Sequence, residues 1–257
     1  MEILIKTART FYGIMIAGLA FQQFFYAEFR PVIFPPWPHA GVVYTICVYI
    51  VSVALVFAGL AIIFDKKAKT VSLVLGGLLL LIFCLGQIPY ELMVDYYKHL
   101  GSWTTPLKEP AIAGGAFVVA GSYPVKYAAT DSSLIGFLKK IIPFGAYFFC
   151  IVLALFGIEH FLYPEFCASL VPKWIPPGQL FWSYFAAVAL IGSGIAIMLN
   201  IKRKLVGTLL AVMLLLWVVL LHIPRAVADP YSLKGNELSS VFEALGFSGI
   251  AYLIAKS

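Results

Sequence analysis

Eight runs of mostly apolar residues divide this chain, near 10–27, 41–64, 70–90, 109–123, 141–163, 180–200, 204–223 and 240–255. A helix needs about 20 such residues to cross the hydrocarbon of a bilayer. The runs are continuous rather than alternating, which argues against the strands of a membrane barrel. The run at 109–123 is short and carries Gly114-Gly115. Charged residues make up only 12% of the 257 and the mean hydropathy is +0.96. Soluble domains carry about 25% charged residues, so the solvent that fits this composition is lipid. The sequence therefore reads as an all-α, polytopic membrane protein of about eight transmembrane helices.

Polar and helix-breaking residues separate the runs: Arg30-Pro31, Pro35-Pro36-Trp37-Pro38, Asp65-Lys66-Lys67, Pro106, Pro110, Pro172, Pro176-Pro177-Gly178, Lys202-Arg203-Lys204 and Asp229-Pro230. Proline cannot continue a helix without losing a hydrogen bond, so these positions read as ends or turns. Lys6 and Arg9 precede the first run as in a signal peptide, but the run continues into Gln22-Gln23-Phe24-Phe25-Tyr26 with no small-residue cleavage site, so it reads as a retained helix.

Charge assigns sidedness. With the N-terminus inside, the inner segments hold twelve basic and three acidic residues, and the outer segments six basic and nine acidic. Basic loops face the cytoplasm, so both termini are expected there, in a multi-pass protein of a cell membrane such as the bacterial inner membrane. The net charge of +6 is explained by this topology, and no basic stretch interleaved with aromatics suggests nucleic acid.

The two halves echo one another. At an offset of 137, Tyr26, Glu28, Phe29, Pro35, Trp37 and Gly41 match Tyr163, Glu165, Phe166, Pro172, Trp174 and Gly178. At an offset of 135, Lys69, Gln87, Ile88 and Pro89 match Lys204, His222, Ile223 and Pro224. We expect two parallel four-helix repeats, over 1–123 and 141–257, joined by a cytoplasmic linker at 124–140. Four is an even number, so the copies share one orientation.

Polar groups at membrane depth are costly and are functional candidates. Here they gather at the outer ends of the runs. Glu159, His160, His222 and Arg225 supply acids, bases and a fixed cation, and are the candidate catalytic residues. Gln22, Gln23, Gln87, Glu243 and Trp174 are candidates for substrate binding, and Glu91 and Glu109 lie at the same level. Solvated helix ends and interhelical hydrogen bonds are competing readings of these groups. Histidine titrates near neutral pH and suits proton relay. No metal site is expected, since it needs three or four converging ligands. Cys47, Cys84, Cys150 and Cys167 form no C-x-x-C pair. The aromatic residues at helix ends read as an interfacial belt or as a crevice for a quinone or lipid tail.

The stretch from Phe156 to Phe166, containing Glu159-His160, followed by Val171-Pro172-Lys173-Trp174-Ile175-Pro176 and the Lys202-Arg203-Lys204 turn, resembles the DoxX-like membrane proteins. The resemblance covers about 100 residues of the second half. It implies a small four-helix membrane unit, sometimes linked to quinone-dependent sulfur oxidation or other redox complexes, with His160 in the first-helix motif. The acidic residue that relatives often carry in the second helix is absent from Phe185 to Ile197. Three functions stay open: a membrane subunit of a quinone-linked redox system with a membrane or periplasmic redox partner, a small-solute transporter, and a non-catalytic scaffold or assembly factor.

Overall fold

The computed structural model describes residues 2–36, 41–124 and 132–257. Trp37, Lys126 and Asp131 lie outside them. Among the described residues twelve α-helical segments follow in order: α1 (Glu2–Tyr26), α2 (Val42–Ile63), α3 (Ala68–Ile82), α4 (Ile88–Met93), α5 (Leu100–Gly121), α6 (Ser133–Lys139), α7 (Gly145–Leu162), α8 (Pro164–Ser169), α9 (Gln179–Met198), α10 (Arg203–Trp217), α11 (Ile223–Ala228) and α12 (Asn236–Lys256). A π-helical turn at Phe83–Gln87 joins α3 to α4, and another at Val218–His222 joins α10 to α11. Among the described residues there is no strand.

Among the described residues, seven stretches are long and apolar enough to cross a membrane: Glu2–Tyr26, Val42–Ile63, Ala68–Met93, Ser133–Leu162, Gln179–Met198, Arg203–Ala228 and Ser232–Lys256. The molecule is an all-helical polytopic membrane protein. The eighth expected crossing is α5, which is too polar to meet the same standard. It is twenty-two residues long and begins at Leu100, well before the apolar run at 109–123. Pro106 and Pro110 lie inside it rather than ending it. Burial explains the difference: every residue from Glu109 to Ala120 is buried, so α5 meets protein on its sides where the other helices meet lipid. The segment at 124–140 likewise departs from a plain linker. It holds α6, capped by the Ser132 side chain and anchored by Leu138 beside Leu73 and Phe117.

The long helices form a closed ring, α1–α2–α3–α5–α7–α9–α10–α12 and back to α1, with α5 and α12 also touching across the middle. Large apolar side chains such as Ile50, Phe57, Leu81, Val188, Leu209 and Val219 stand exposed on its outside. A soluble protein rarely tolerates so broad an apolar surface.

Backbone details recur at the two sequence offsets. Gly41 and Gly178, 137 apart, precede α2 and α9 with φ of 93° and 149°. Asp65 and Asn200, 135 apart, both adopt left-handed conformations, as do Lys67 and Lys202 before α3 and α10. The π turns are also 135 apart, each followed by proline at the second position of the next helix. A proline lacks an N–H and crowds the carbonyl four residues back; a π turn accommodates it by shifting the hydrogen-bond register.

Helix crossings recur in the same way. A Cβ on Gly114 of α5 would lie 2.6 Å from the Gly145 carbonyl oxygen of α7. A Cβ on Gly249 of α12 would overlap the Ala8 carbonyl of α1. Small residues let helix backbones approach this closely in lipid. We expect Gly114→Val to lower stability by about 3 kcal/mol and Gly136→Val, where nothing lies within 4 Å, to leave it unchanged. Thermal unfolding in detergent, followed by size-exclusion chromatography, distinguishes the two.

Candidate functional site

Both termini lie at one end of the ring. The opposite end, where the longer loops are, gathers the buried ionisable groups. Two seams close the ring there. In one, the Gln22 amide of α1 donates to the Gly235 carbonyl at 2.8 Å and accepts from the Ser239 hydroxyl of α12 at 2.9 Å. In the other, the Thr104 hydroxyl of α5 donates to the Glu159 carboxylate of α7 at 2.8 Å. Gln22 and Glu159 are 137 apart, and Thr104 and Ser239 are 135 apart, so one contact is made twice with different chemistry.

Between the seams, Lys108 of α5 and Glu243 of α12 form an ion pair at 2.7 Å. These positions are also 135 apart and meet where α5 and α12 touch in the centre. Lys108 acts electrostatically on Glu159 and His222 as well, so one ammonium group links the two seams. Arg30, in the loop after α1, adds a second cation. Its guanidinium donates to the Lys234 carbonyl at 2.8 Å and to the Ser239 hydroxyl at 2.7 Å. Burial lowers the Arg30 pKa from its ordinary value, and Glu243, then Tyr26 and Glu28, act in the opposite direction. The Lys234 ammonium in turn pairs with Glu28.

The other expected site residues divide into committed and uncommitted groups. The Gln23 amide is buried, donating to the Ser52 hydroxyl at 3.0 Å and accepting from the Arg30 N–H. Arg225 is held bidentate by Glu237 at 2.9 and 2.6 Å. Nδ1 of His160 lies 2.8 Å from the Phe156 carbonyl one turn back, so that face of the ring is occupied within its own helix. Trp174 is 67% exposed and stands apart from the cluster. Glu159, His160 and Arg225 thus bind different partners, while Lys108 acts on both Glu159 and His222. Among the described residues no three His, Cys, Asp or Glu side chains form a metal-binding group.

Among the described residues, Gln87, His222 and Glu109 at this end each keep a buried polar atom without a partner, as Arg30 does at Nε and as Ser72, Tyr123 and Ser183 do elsewhere. Gln87 is fully buried and donates to the Pro31 carbonyl at 2.8 Å, leaving Oε1 without a partner. Nδ1 of His222, at the end of the second π turn, has none either. Neither carboxyl oxygen of Glu109, also fully buried, makes a hydrogen bond of normal geometry, although the Gln87 amide lies close enough to act on it. A buried carboxylate without donors costs several kcal/mol, so Glu109 either carries its proton or meets a donor from outside the chain.

Lys108, Arg30, Thr104 and Ser239 were not singled out in the sequence. Lys108 and Thr104 flank Pro106 in what reads as a loop, and only the length of α5 carries them into the bundle. The repeat offset offers one signal: Lys108 aligns with Glu243, opposite charges at equivalent positions.

Residues 149–236 match the model of a family described as a domain of unknown function (DUF8561). The match runs from the second turn of α7 to the first residue of α12, about a third of the chain. No curated protein and no solved structure matches the sequence.

Proposed function

We propose that this chain is a membrane subunit of a quinone-linked redox system, with the head group of the quinone received by the polar cluster at the loop-rich end. One observation carries the reading: at that end the adjacent, fully buried Glu109 and Gln87, and the half-buried His222 at the position equivalent to Gln87, keep buried hydrogen-bonding atoms that the protein does not meet. Buried polar atoms are normally satisfied, and exceptions call for an external partner. An acid, an amide oxygen and an imidazole nitrogen can serve a small ring that bears carbonyl or hydroxyl oxygens. The resemblance of Phe156–Pro176 to DoxX-like proteins points to the same chemistry.

When bound, a quinone supplies the redox chemistry, taking up two electrons and two protons. The protein's own residues have simpler tasks. Glu109 holds a proton or accepts one, His222 does the same through Nδ1, and Gln87 Oε1 accepts a hydrogen bond while its NH2 group stays anchored on Pro31. Lys108–Glu243 and Arg225–Glu237 fix the surrounding charges. The electrons come from a redox partner. In this reading the chain lies in a cell membrane such as the bacterial inner membrane; the twelve-to-six division of basic residues supports cytoplasmic termini, and the cluster then opens toward the periplasm.

The test is to purify the protein in mild detergent and extract the lipids for mass spectrometry, then to titrate stripped protein with a short-chain quinone and follow thermal unfolding. Stoichiometric native quinone and a saturable rise in Tm are expected. Protein free of quinone and indifferent to added quinone would overturn the proposal and leave scaffold or transporter.

A further inference from the structure

The opposite end of the bundle carries a second polar feature. Where α9 turns into α10, a cleft of about 890 Å³ is lined by Lys202, Arg203 and Lys204, with Lys256 and Ser257 from the end of α12. No acidic side chain lines it. Arg203 is partly committed, donating to the Ile254 carbonyl at 3.1 Å and to the Ser257 hydroxyl at 2.6 Å. Lys256 stands over the Tyr252 ring at 5.1 Å. The side chains of Lys202 and Lys204 are exposed.

Directly along the same two helices lies an apolar groove of about 240 Å³. Val212 and Leu215 of α10 and Tyr252 of α12 form two of its walls, and Ala8 and Phe11 of α1 form the third. The Ser248 hydroxyl in this groove is satisfied by the Ala211 carbonyl at 2.8 Å, which leaves the lining apolar. From Lys204 to Leu215 the helix rises about 16 Å, from the membrane boundary into the hydrocarbon. A cationic cleft at the interface, followed about one turn further along α10 and α12 by an apolar groove, has the form of an amphiphile with an anionic head.

The first half of the chain provides an internal comparison. There the corresponding turn holds Asp65-Lys66-Lys67, and Asn200 replaces Asp65 at the offset of 135. Asp65 acts on Tyr123. The Arg9 guanidinium packs over the Tyr123 ring at 3.6 Å, and Lys69 donates to the Pro124 carbonyl at 3.1 Å. That corner is covered by the chain and contains an acidic side chain; the second is open and is lined by none. A general excess of cations at this end would make the two corners alike, and they are not.

We infer that the α9–α10 turn and the groove between α1, α10 and α12 bind one anionic phospholipid, its phosphate at Lys202 and Lys204 and an acyl chain along Val212 and Leu215. Basic pockets at the ends of membrane helices bind anionic head groups in this way. The site is remote from the proposed quinone cluster and stands independently of it.

Delipidated full-length protein is titrated with phosphatidylglycerol or phosphatidylcholine in mixed micelles, and bound lipid is counted by native mass spectrometry. Phosphatidylglycerol is expected to bind preferentially, with about tenfold loss of affinity in K202A/K204A. K66A/K67A removes the same charge from the first corner and is expected to bind normally. Val212→Trp fills the groove and is expected to weaken lipid binding while leaving inorganic phosphate unaffected. Equal binding of the two lipids, or equal loss in both double variants, would overturn the assignment. Inorganic phosphate that competes fully at millimolar concentration, with Val212→Trp silent, would replace the lipid by a free anion. A circular dichroism spectrum matching wild type keeps each variant interpretable.

Discussion

Glu109→Gln is expected to weaken quinone binding between tenfold and a hundredfold while leaving the thermal midpoint within a few degrees of wild type. The substitution keeps shape and hydrogen-bonding capacity but cannot exchange a proton. A hydrogen bond to a group that can ionise is worth about 1.5–3 kcal/mol, which sets that range. Glutamine also removes the risk of an uncompensated charge at a fully buried position, so stability has no reason to fall. Isothermal titration of stripped protein with a short-chain quinone measures the first effect and differential scanning fluorimetry the second. Undiminished binding would remove Glu109 from the site. A collapse of stability with no quinone effect would make it a structural acid whose partner is water.

The central ion pair should behave differently. Either Lys108→Ala or Glu243→Ala alone is expected to cost about 3 kcal/mol, because each leaves its partner charged in a poorly solvated position. The side chains are 22% and 9% exposed, so some solvent screening is allowed for in that figure. The double variant is expected to recover most of the loss, as apolar replacements of buried pairs often do. Reversal of the pair, Lys108→Glu with Glu243→Lys, should retain most of the coupling. A double-mutant cycle read by chemical unfolding in detergent measures it. Additive losses would show that the two charges act separately.

The sequence was most legible where lipid is the environment. Six of the eight apolar runs are long helices within a few residues of their expected places, because hydrocarbon demands both length and apolarity. It was least legible at α5. A helix surrounded by other helices need not be apolar, and so Pro106 and Lys108 read as loop. Their freed backbone groups and charges are accommodated by neighbouring helices instead of by water. The level of the polar residues in the membrane was readable, since Gln22, Gln87, Glu159, His222 and Glu243 do occupy one end of the bundle. Their pairings were not. Whether Glu159 meets Thr104 or Ser239 depends on which helices adjoin, and the ring order places α7 beside α5 rather than beside α12. Arg30 illustrates the same limit: in sequence it is a loop cation, and only folding brings it within reach of Ser239 on the last helix.

The meeting of Lys108 with Glu243 has an evolutionary corollary. A homodimer of two identical four-helix chains, closed about the same central axis, would set a residue against its own twin at this spot, lysine on lysine or glutamate on glutamate. A covalently fused pair can become heterogeneous there. Fusion would then have released the halves from mutual constraint, letting one acquire His222 where the other keeps Gln87, and so turning a symmetric shell into a molecule with a single specialised face.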